Sequence, residues 1–153
     1  MPSLDVTYAI PSGEAGARKV AVANLVLDLT ERLLGKKRAL TAVTLVEVPA
    51  ADWFIGGRSA ADLGQATYRV VARVTEGTNT KAEKARWIAA VHDGLVRLLG
   101  PTRPESYAVV EEVRADAWGW GGETQEHRAV AELLASKAET ELVFDGYRRF
   151  GIR

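Results

Sequence analysis

Apolar and polar residues alternate at the start of the chain with the two-residue period of a half-buried β-strand. The apolar positions are Leu4, Val6, Tyr8 and Ile10. A helical pattern follows, in which apolar residues recur three and four positions apart. This stripe consists of Val22, Leu25, Val26, Leu29 and Leu33. Gly35 ends the predicted helix, and residues 40–48 form a second β-rich run. The order strand, helix, strand predicts a right-handed parallel crossover.

The second half of the chain repeats this order. Residues 68–75 read as a strand, residues 106–113 as the returning strand, and an apolar helical stripe lies between them. The stripe consists of Trp87, Ile88, Val91, Leu95, Leu98 and Leu99. At an ungapped offset of 65, residues 47–57 lie over residues 112–122 and share Glu, Val, Ala, Trp and two glycines. Two copies of so long a period indicate a duplicated and fused unit, because solenoids usually stack at least three repeats.

The repeat predicts an α+β fold in which two tandem β-α-β units form a four-stranded mixed sheet with two helices on one face, plus a C-terminal helix. We expect the first unit with its hairpin at 2–58, a linker at 59–66, the second unit with its hairpin at 67–122, and the C-terminal helix and tail at 123–153, in one compact domain. The helix itself is expected at 124–143. Valine and leucine on both sides of the strand at 43–46 predict that the open sheet face is apolar too, and self-association would cover it.

Composition narrows the chemistry. The chain of 153 residues is 47% hydrophobic and 26% charged, which indicates a folded domain and excludes disorder. Twenty basic residues balance twenty acidic ones, so neither nucleic acid nor a membrane surface is an expected partner. With no cysteine and only His92 and His127, we expect no metal and no cofactor. No apolar run approaches the roughly 20 residues of a membrane span. No signal peptide is recognisable, so a cytoplasmic location is expected.

Three features occur together on this duplicated frame. Pro2 directly follows Met1, and the two units end in the aromatic and glycine motifs of residues 53–57 (Trp-Phe-Ile-Gly-Gly) and 118–122 (Trp-Gly-Trp-Gly-Gly). In these features the sequence resembles the tautomerase superfamily, whose founding member is 4-oxalocrotonate tautomerase. The resemblance covers roughly residues 2–122, and the tandem arrangement is similar to the fused members of that superfamily.

The resemblance implies that Pro2, once Met1 is removed, is the general base of a tautomerase or isomerase. It would shift a proton in a small enol or unsaturated carbonyl acid, and the chain would form a homotrimer of six β-α-β units. An ordinary α-amine has a pKa of about 7.7–8.0, and apolar burial lowers the pKa of an amine toward neutrality. Such an amine can accept and return a proton, or attack a carbonyl to form an iminium. The ungapped offset places Thr67 opposite Pro2, so only one unit would carry the amine.

The sequence departs from the family at its substrate-binding arginines. The position after the first strand holds Ser12 or Gly13, with Thr78 in the second unit, and the position early in the second strand falls near Ala42 and Tyr107. This departure favours a substrate less acidic than a diacid, or recognition by other groups.

Two arginines could substitute. Arg69 and Arg73 share one face of the third strand and could clamp a substrate carboxylate. The alternative for both is an intersubunit ion pair or a solvated strand face.

Aromatic residues complete the candidate site. Tyr107 could donate a hydrogen bond to a developing enolate oxygen, or simply lie on the sheet face. Trp53 and Trp118 fall where the family has an aromatic wall, and core or interface packing is their alternative. His92 is expected to serve packing.

Two other functions remain open. The first is a Pro2-dependent hydratase, dehalogenase or decarboxylase acting on a short acid. The second is a non-catalytic trimeric binding protein that keeps the same fold.

Overall fold

A computed structural model describes residues 1–11, 13 and 16–149 of the chain, and the side chains only as far as residue 138. Residues Met1–Val113 and Arg114–Arg153 form two compact units, which are described separately. The domain boundaries drawn from the sequence stay predictions. The elements of the first unit are β1 (Ser3–Ala9), α1 (Lys19–Leu34), β2 (Ala42–Glu47), β3 (Phe54–Ile55), β4 (Arg58–Ser59), α2 (Ala60–Leu63), β5 (Thr67–Thr75), α3 (Lys81–Leu99) and β6 (Tyr107–Val113). Those of the second are β7 (Gly119–Trp120), β8 (Glu123–Thr124) and α4 (Gln125–Arg149).

Four strands form one mixed sheet in the order β2-β1-β5-β6. Strands β1 and β2 are parallel, β5 and β6 are parallel, and β1 runs antiparallel to β5 in the centre. Helices α1 and α3 connect the two parallel pairs. The predicted α+β fold, with its two tandem β-α-β units, is therefore confirmed.

The core lies between the sheet and the two helices. Alternate residues of the central strands are almost fully buried, which explains the two-residue period of the sequence. The strand residues of this core are Leu4, Val6, Tyr8, Tyr68, Val70, Ala72 and Val74. Its helix residues are Val22, Val26, Leu29, Leu34, Trp87, Val91, Leu95 and Leu99. The predicted helical stripes thus supply the apolar side of each helix, except that Ile88 of the α3 stripe is 40% exposed.

The second face of the sheet differs from the expectation. It was expected to be apolar, but Arg73 on this face forms ion pairs with Asp5 of β1 and with Glu111 of β6. Val46 of the edge strand β2 is 48% exposed in the single chain. This face is thus mixed in character, because Asp5, Arg69 and Arg73 share it with the buried Val71. Its cover by self-association stays a prediction.

The register of the strands also corrects the alignment of the repeat. Leu4 pairs with Val43, whereas Val70 pairs with Ala108. The returning strands keep the offset of 65, but the first strands differ by 66, because the second strand-to-helix connection is one residue shorter. Tyr68, and not Thr67, is therefore the structural counterpart of Pro2.

The repeat continues beyond the hairpins. The Ser59 hydroxyl accepts a hydrogen bond from the backbone N–H of Asp62, and the Thr124 hydroxyl accepts the equivalent bond from His127, both at 3.1 Å. Each hydroxyl caps the start of a helix. Gly64, with φ of 64°, ends α2 after one turn, whereas α4 continues through Ala129, its counterpart. The C-terminal helix thus begins inside the repeat, and it extends six residues beyond the predicted end at residue 143.

Tyr68 makes the free energy of unfolding depend on pH in the alkaline range. Burial, together with the negative charge of Asp93, raises the pKa of Tyr68 to about 12. The pKa of Tyr68 in the folded protein lies above the ordinary value of about 10. The contribution of its protonated hydroxyl to the free energy of unfolding is therefore complete below pH 10 and is lost as pH rises from about 10 to about 12. We expect Tyr68→Phe to flatten the loss of unfolding free energy over that interval, measured by urea denaturation. The exposed Tyr107→Phe is the control, and an equal loss in wild type and Tyr68→Phe would contradict the assignment.

Candidate active site

Pro2 lies at the start of β1, at the edge of the sheet where β1 and β2 begin. The residue is buried, and its carbonyl oxygen accepts a hydrogen bond from the backbone N–H of Ala42 at 3.3 Å. This hydrogen bond therefore holds the backbone of Pro2 against the start of β2. A group fixed in this way has little conformational freedom to lose when it reacts.

Arg73 lies at the same end of the sheet, opposite Ser3 in the register. Its guanidinium contacts the carboxylates of Asp5 and Glu111, the latter at 2.7 Å from Nε to Oε2. The hydrogen bond to Asp5, together with the charges of both carboxylates, raises the pKa of Arg73. The predicted clamp is thus engaged in ion pairs within one chain, and its part in substrate binding stays a prediction.

Lys36 was not considered for the site from the sequence. It follows the end of α1, and its Nζ donates a hydrogen bond to the Thr78 hydroxyl at 2.8 Å. Thr78 follows β5, so this contact lies at the end of the sheet where β1 begins. Burial lowers the pKa of Lys36, although the charges of Glu83 and Glu112 act in the opposite direction. Lys36 thus brings positive charge to this end of the sheet. Of the two positions where the family arginine is missing, Thr78 is uncharged, and Ser12 lies outside the described residues.

Three predicted substrate-binding residues come together elsewhere. Arg69, Tyr107 and Trp53 line one cavity of about 410 Å³, with Phe54, Ile55, Gly56 and Glu105. Arg69 pairs with Thr7 near the far end of β1. Thr7 lies five positions beyond Pro2 along an extended strand, which corresponds to about 17 Å. The cavity is therefore remote from Pro2 of the same chain.

The two charged residues that line this cavity differ in whether they have an ion-pair partner. Both oxygens of Glu105 accept hydrogen bonds from the Arg103 guanidinium at 3.0 Å, and these bonds lower the pKa of Glu105. Arg69, in contrast, has no hydrogen bond or ion pair with any residue that the structure describes. Phe54 and Glu105 were missed from the sequence, because periodicity does not reveal which loop meets which strand end.

Trp118 belongs to the second compact unit. It borders a cavity of about 350 Å³ formed by the β7–β8 hairpin and the residues just before it. Within that unit Arg128 lies over the ring of Trp120 at 3.9 Å and pairs with Glu123 at 3.2 Å. Arg128 was not singled out from the sequence, since its position on α4 carries no motif.

No helix in the described part of the chain is both long and apolar enough to cross a membrane. No cluster of three or more histidine, cysteine, aspartate or glutamate residues that could hold a metal ion occurs in it.

The mixed sheet, the paired helices and the two Gly-Gly hairpins define a tandem β-α-β protein. Among known families, residues 70–128 match the family described as tautomerase enzyme. This match falls on the half of the chain that lacks Pro2. No curated protein matches the sequence.

Solved structures extend the match to most of the chain. A native fused 4-OT is 27% identical and superposes with a TM-score of 0.70, over 82% of this chain and 97% of that one. A second fused 4-OT, described as a symmetric trimer, is 22% identical with a TM-score of 0.69, over 81% of this chain and 96% of that one. The protein Pt0534, solved after inactivation by 2-oxo-3-pentynoate, is 16% identical with a TM-score of 0.70, over 82% and 98%.

These matches support the resemblance drawn from the sequence: residues 70–128 match the tautomerase family, and the chain shares the fold of fused 4-OT structures. They support a tautomerase-like role.

Proposed function

We propose that the protein is a tautomerase-like isomerase whose base is the secondary amine of Pro2, freed by removal of Met1. The observation that carries this proposal is the burial of Pro2 at the start of a central strand of a fused tautomerase-like fold. The substrate is a small enol or unsaturated carbonyl acid. Arg73 and Trp118 remain predicted substrate contacts.

The amine acts by moving one proton. Burial disfavours the ammonium form, so a fraction of the amine is unprotonated at neutral pH. With an enol substrate the amine takes the hydroxyl proton. The resulting ammonium then returns a proton to the carbon of the double bond that does not carry the hydroxyl group. The pyrrolidine ring limits rotation about the N–Cα bond, so the lone pair keeps its direction.

The proposal includes a homotrimer. It is supported by the trimeric description of a fused 4-OT with the same fold. Light scattering of the purified protein should give the mass of three chains, and a stable monomer would contradict this part of the proposal.

A covalent label tests for the free amine. We expect mass spectrometry of the purified protein to show that Met1 is lost, since a retained methionine leaves Pro2 an amide without basicity. 2-Oxo-3-pentynoate is an acetylenic ketone, and a nucleophilic amine adds to its triple bond while a proton moves to the neighbouring carbon. One adduct per chain, located on the N-terminal peptide, is the expected result. Retained Met1, or labelling elsewhere with an unmodified Pro2, would overturn the proposal.

A further inference from the structure

The cavity lined by Trp53, Phe54, Arg69, Glu105 and Tyr107 lies in the described part of the chain, away from its own Pro2. We propose that this cavity is a second ligand site, which binds the carboxylate of a small aromatic or unsaturated acid without transferring a proton. We call it the Arg69 pocket. Because it needs no reaction at Pro2, the inference does not depend on the proposed function.

The charge of the Arg69 pocket selects an anion. Arg103 neutralises Glu105 through two hydrogen bonds, so this carboxylate does not offset the charge of Arg69. Arg69 itself has no partner among the described residues, whereas Arg73, two residues along the same strand face, is held by two carboxylates. A free guanidinium offers two parallel N–H donors that match the two oxygens of a carboxylate.

The remaining walls select an apolar, flat body. The apolar and aromatic residues that line the pocket together with Arg69 are Trp53, Phe54, Ile55 and Tyr107. The side chains of Phe54 and Tyr107 are 64% and 62% exposed, so their apolar surfaces are open to a ligand. Aromatic rings stack on flat unsaturated groups, and a volume of about 410 Å³ suits a small molecule.

The internal repeat explains why this pocket carries no base. Arg69 and Tyr107 are the counterparts of Ser3 and Ala42, which stand beside Pro2 in the first unit. The counterpart of Pro2 itself is Tyr68, whose buried hydroxyl lies 2.8 Å from Nδ1 of His92. An internal residue has no free amine, and a tyrosine with a pKa of about 12 stays protonated at neutral pH. The second unit thus has groups that can recognise a ligand but has no amine that can act as a base.

The test is a titration with trans-cinnamate, followed through the indole N–H signals in NMR spectra and by calorimetry. The full-length protein carries Pro2→Ala, so that binding is measured apart from proline chemistry, and Trp53→Phe assigns the Trp53 signal. We expect cinnamate to shift that signal. Arg69→Gln should weaken binding by about tenfold or more, because the charge-assisted hydrogen bonds are lost. Cinnamide, which lacks the charge, should bind similarly weakly.

Arg97→Gln is the matched control, because it removes the same charge from an exposed position on α3. Equal weakening by Arg69→Gln and Arg97→Gln would reduce the effect to general electrostatics and overturn the inference. A Trp53 signal that does not respond to millimolar cinnamate would also overturn it. If Arg69→Gln fails to fold, the comparison of cinnamate with cinnamide on the parent protein decides. A normal response here with no proline adduct would refute only the proposed isomerase, so the two failures can be told apart.

Discussion

Replacing Pro2 with alanine is expected to lower kcat/KM for phenylenolpyruvate by about 10²- to 10⁴-fold, the usual contribution of a positioned general base. Alanine also leaves an amine once Met1 is removed, but it is a primary amine on a freely rotating residue. The loss therefore reports the fixed lone pair that the pyrrolidine ring provides. Steady-state ketonisation at several pH values measures the effect. In wild type kcat/KM should fall toward acidic pH, because the protonated amine cannot accept a proton.

Pro104→Ala is the control, since Pro104 is an exposed loop residue and its replacement should leave the rate unchanged. An unchanged rate in Pro2→Ala would show that the reaction does not need the fixed secondary amine of proline. Absence of turnover in the wild-type protein would favour the alternative of a trimeric binding protein. Halide release from a haloacrylate, lost in Pro2→Ala, would instead favour the dehalogenase alternative.

The order of elements was predictable because most strands and both core helices bury only one side. In β1 the two-residue alternation follows burial directly, whereas in β5 the buried Val71 interrupts it. In α1 and α3 most residues of the stripes face the core. The hairpins were predictable for a different reason. Gly56 and Gly57 have φ of 57° and 82°, a combination that tight two-residue turns require and that side chains with a Cβ rarely adopt.

The pairing register of the strands and the side chains that meet in each site were harder to predict from the sequence. An ungapped comparison cannot detect a connection that is one residue shorter, and so it matched Pro2 with Thr67. The same limit applies to Arg69 and Arg73, which share a strand face and look equivalent in the sequence. Their difference comes from neighbours on other strands, since Asp5 and Glu111 hold Arg73 while no carboxylate of the described residues forms an ion pair with Arg69. Such cross-strand partners depend on the pairing of distant segments.

Trp87 is expected to dominate the stability of the fold. Its side chain is fully buried where α3 meets α1, and its indole N–H donates to the Thr30 hydroxyl at 3.1 Å. Trp87→Ala should lower the free energy of unfolding by about 3–5 kcal/mol, through lost burial and a residual cavity. A typical domain has only about 5–15 kcal/mol in total. Ile88→Ala changes the next residue of α3, which is partly exposed, and should have a much smaller effect.

The buried hydrogen bond can be separated from the packing by a double-mutant cycle. Thr30→Val keeps the shape of the side chain but leaves the indole N–H without its acceptor, which should cost about 1–3 kcal/mol. In the Trp87→Phe background the same change should cost little, because no donor remains to be satisfied. Urea denaturation at several protein concentrations measures all four proteins and separates unfolding from subunit dissociation. Additive losses would show that the hydroxyl contributes through packing alone, and the link between the two helices would then be purely apolar.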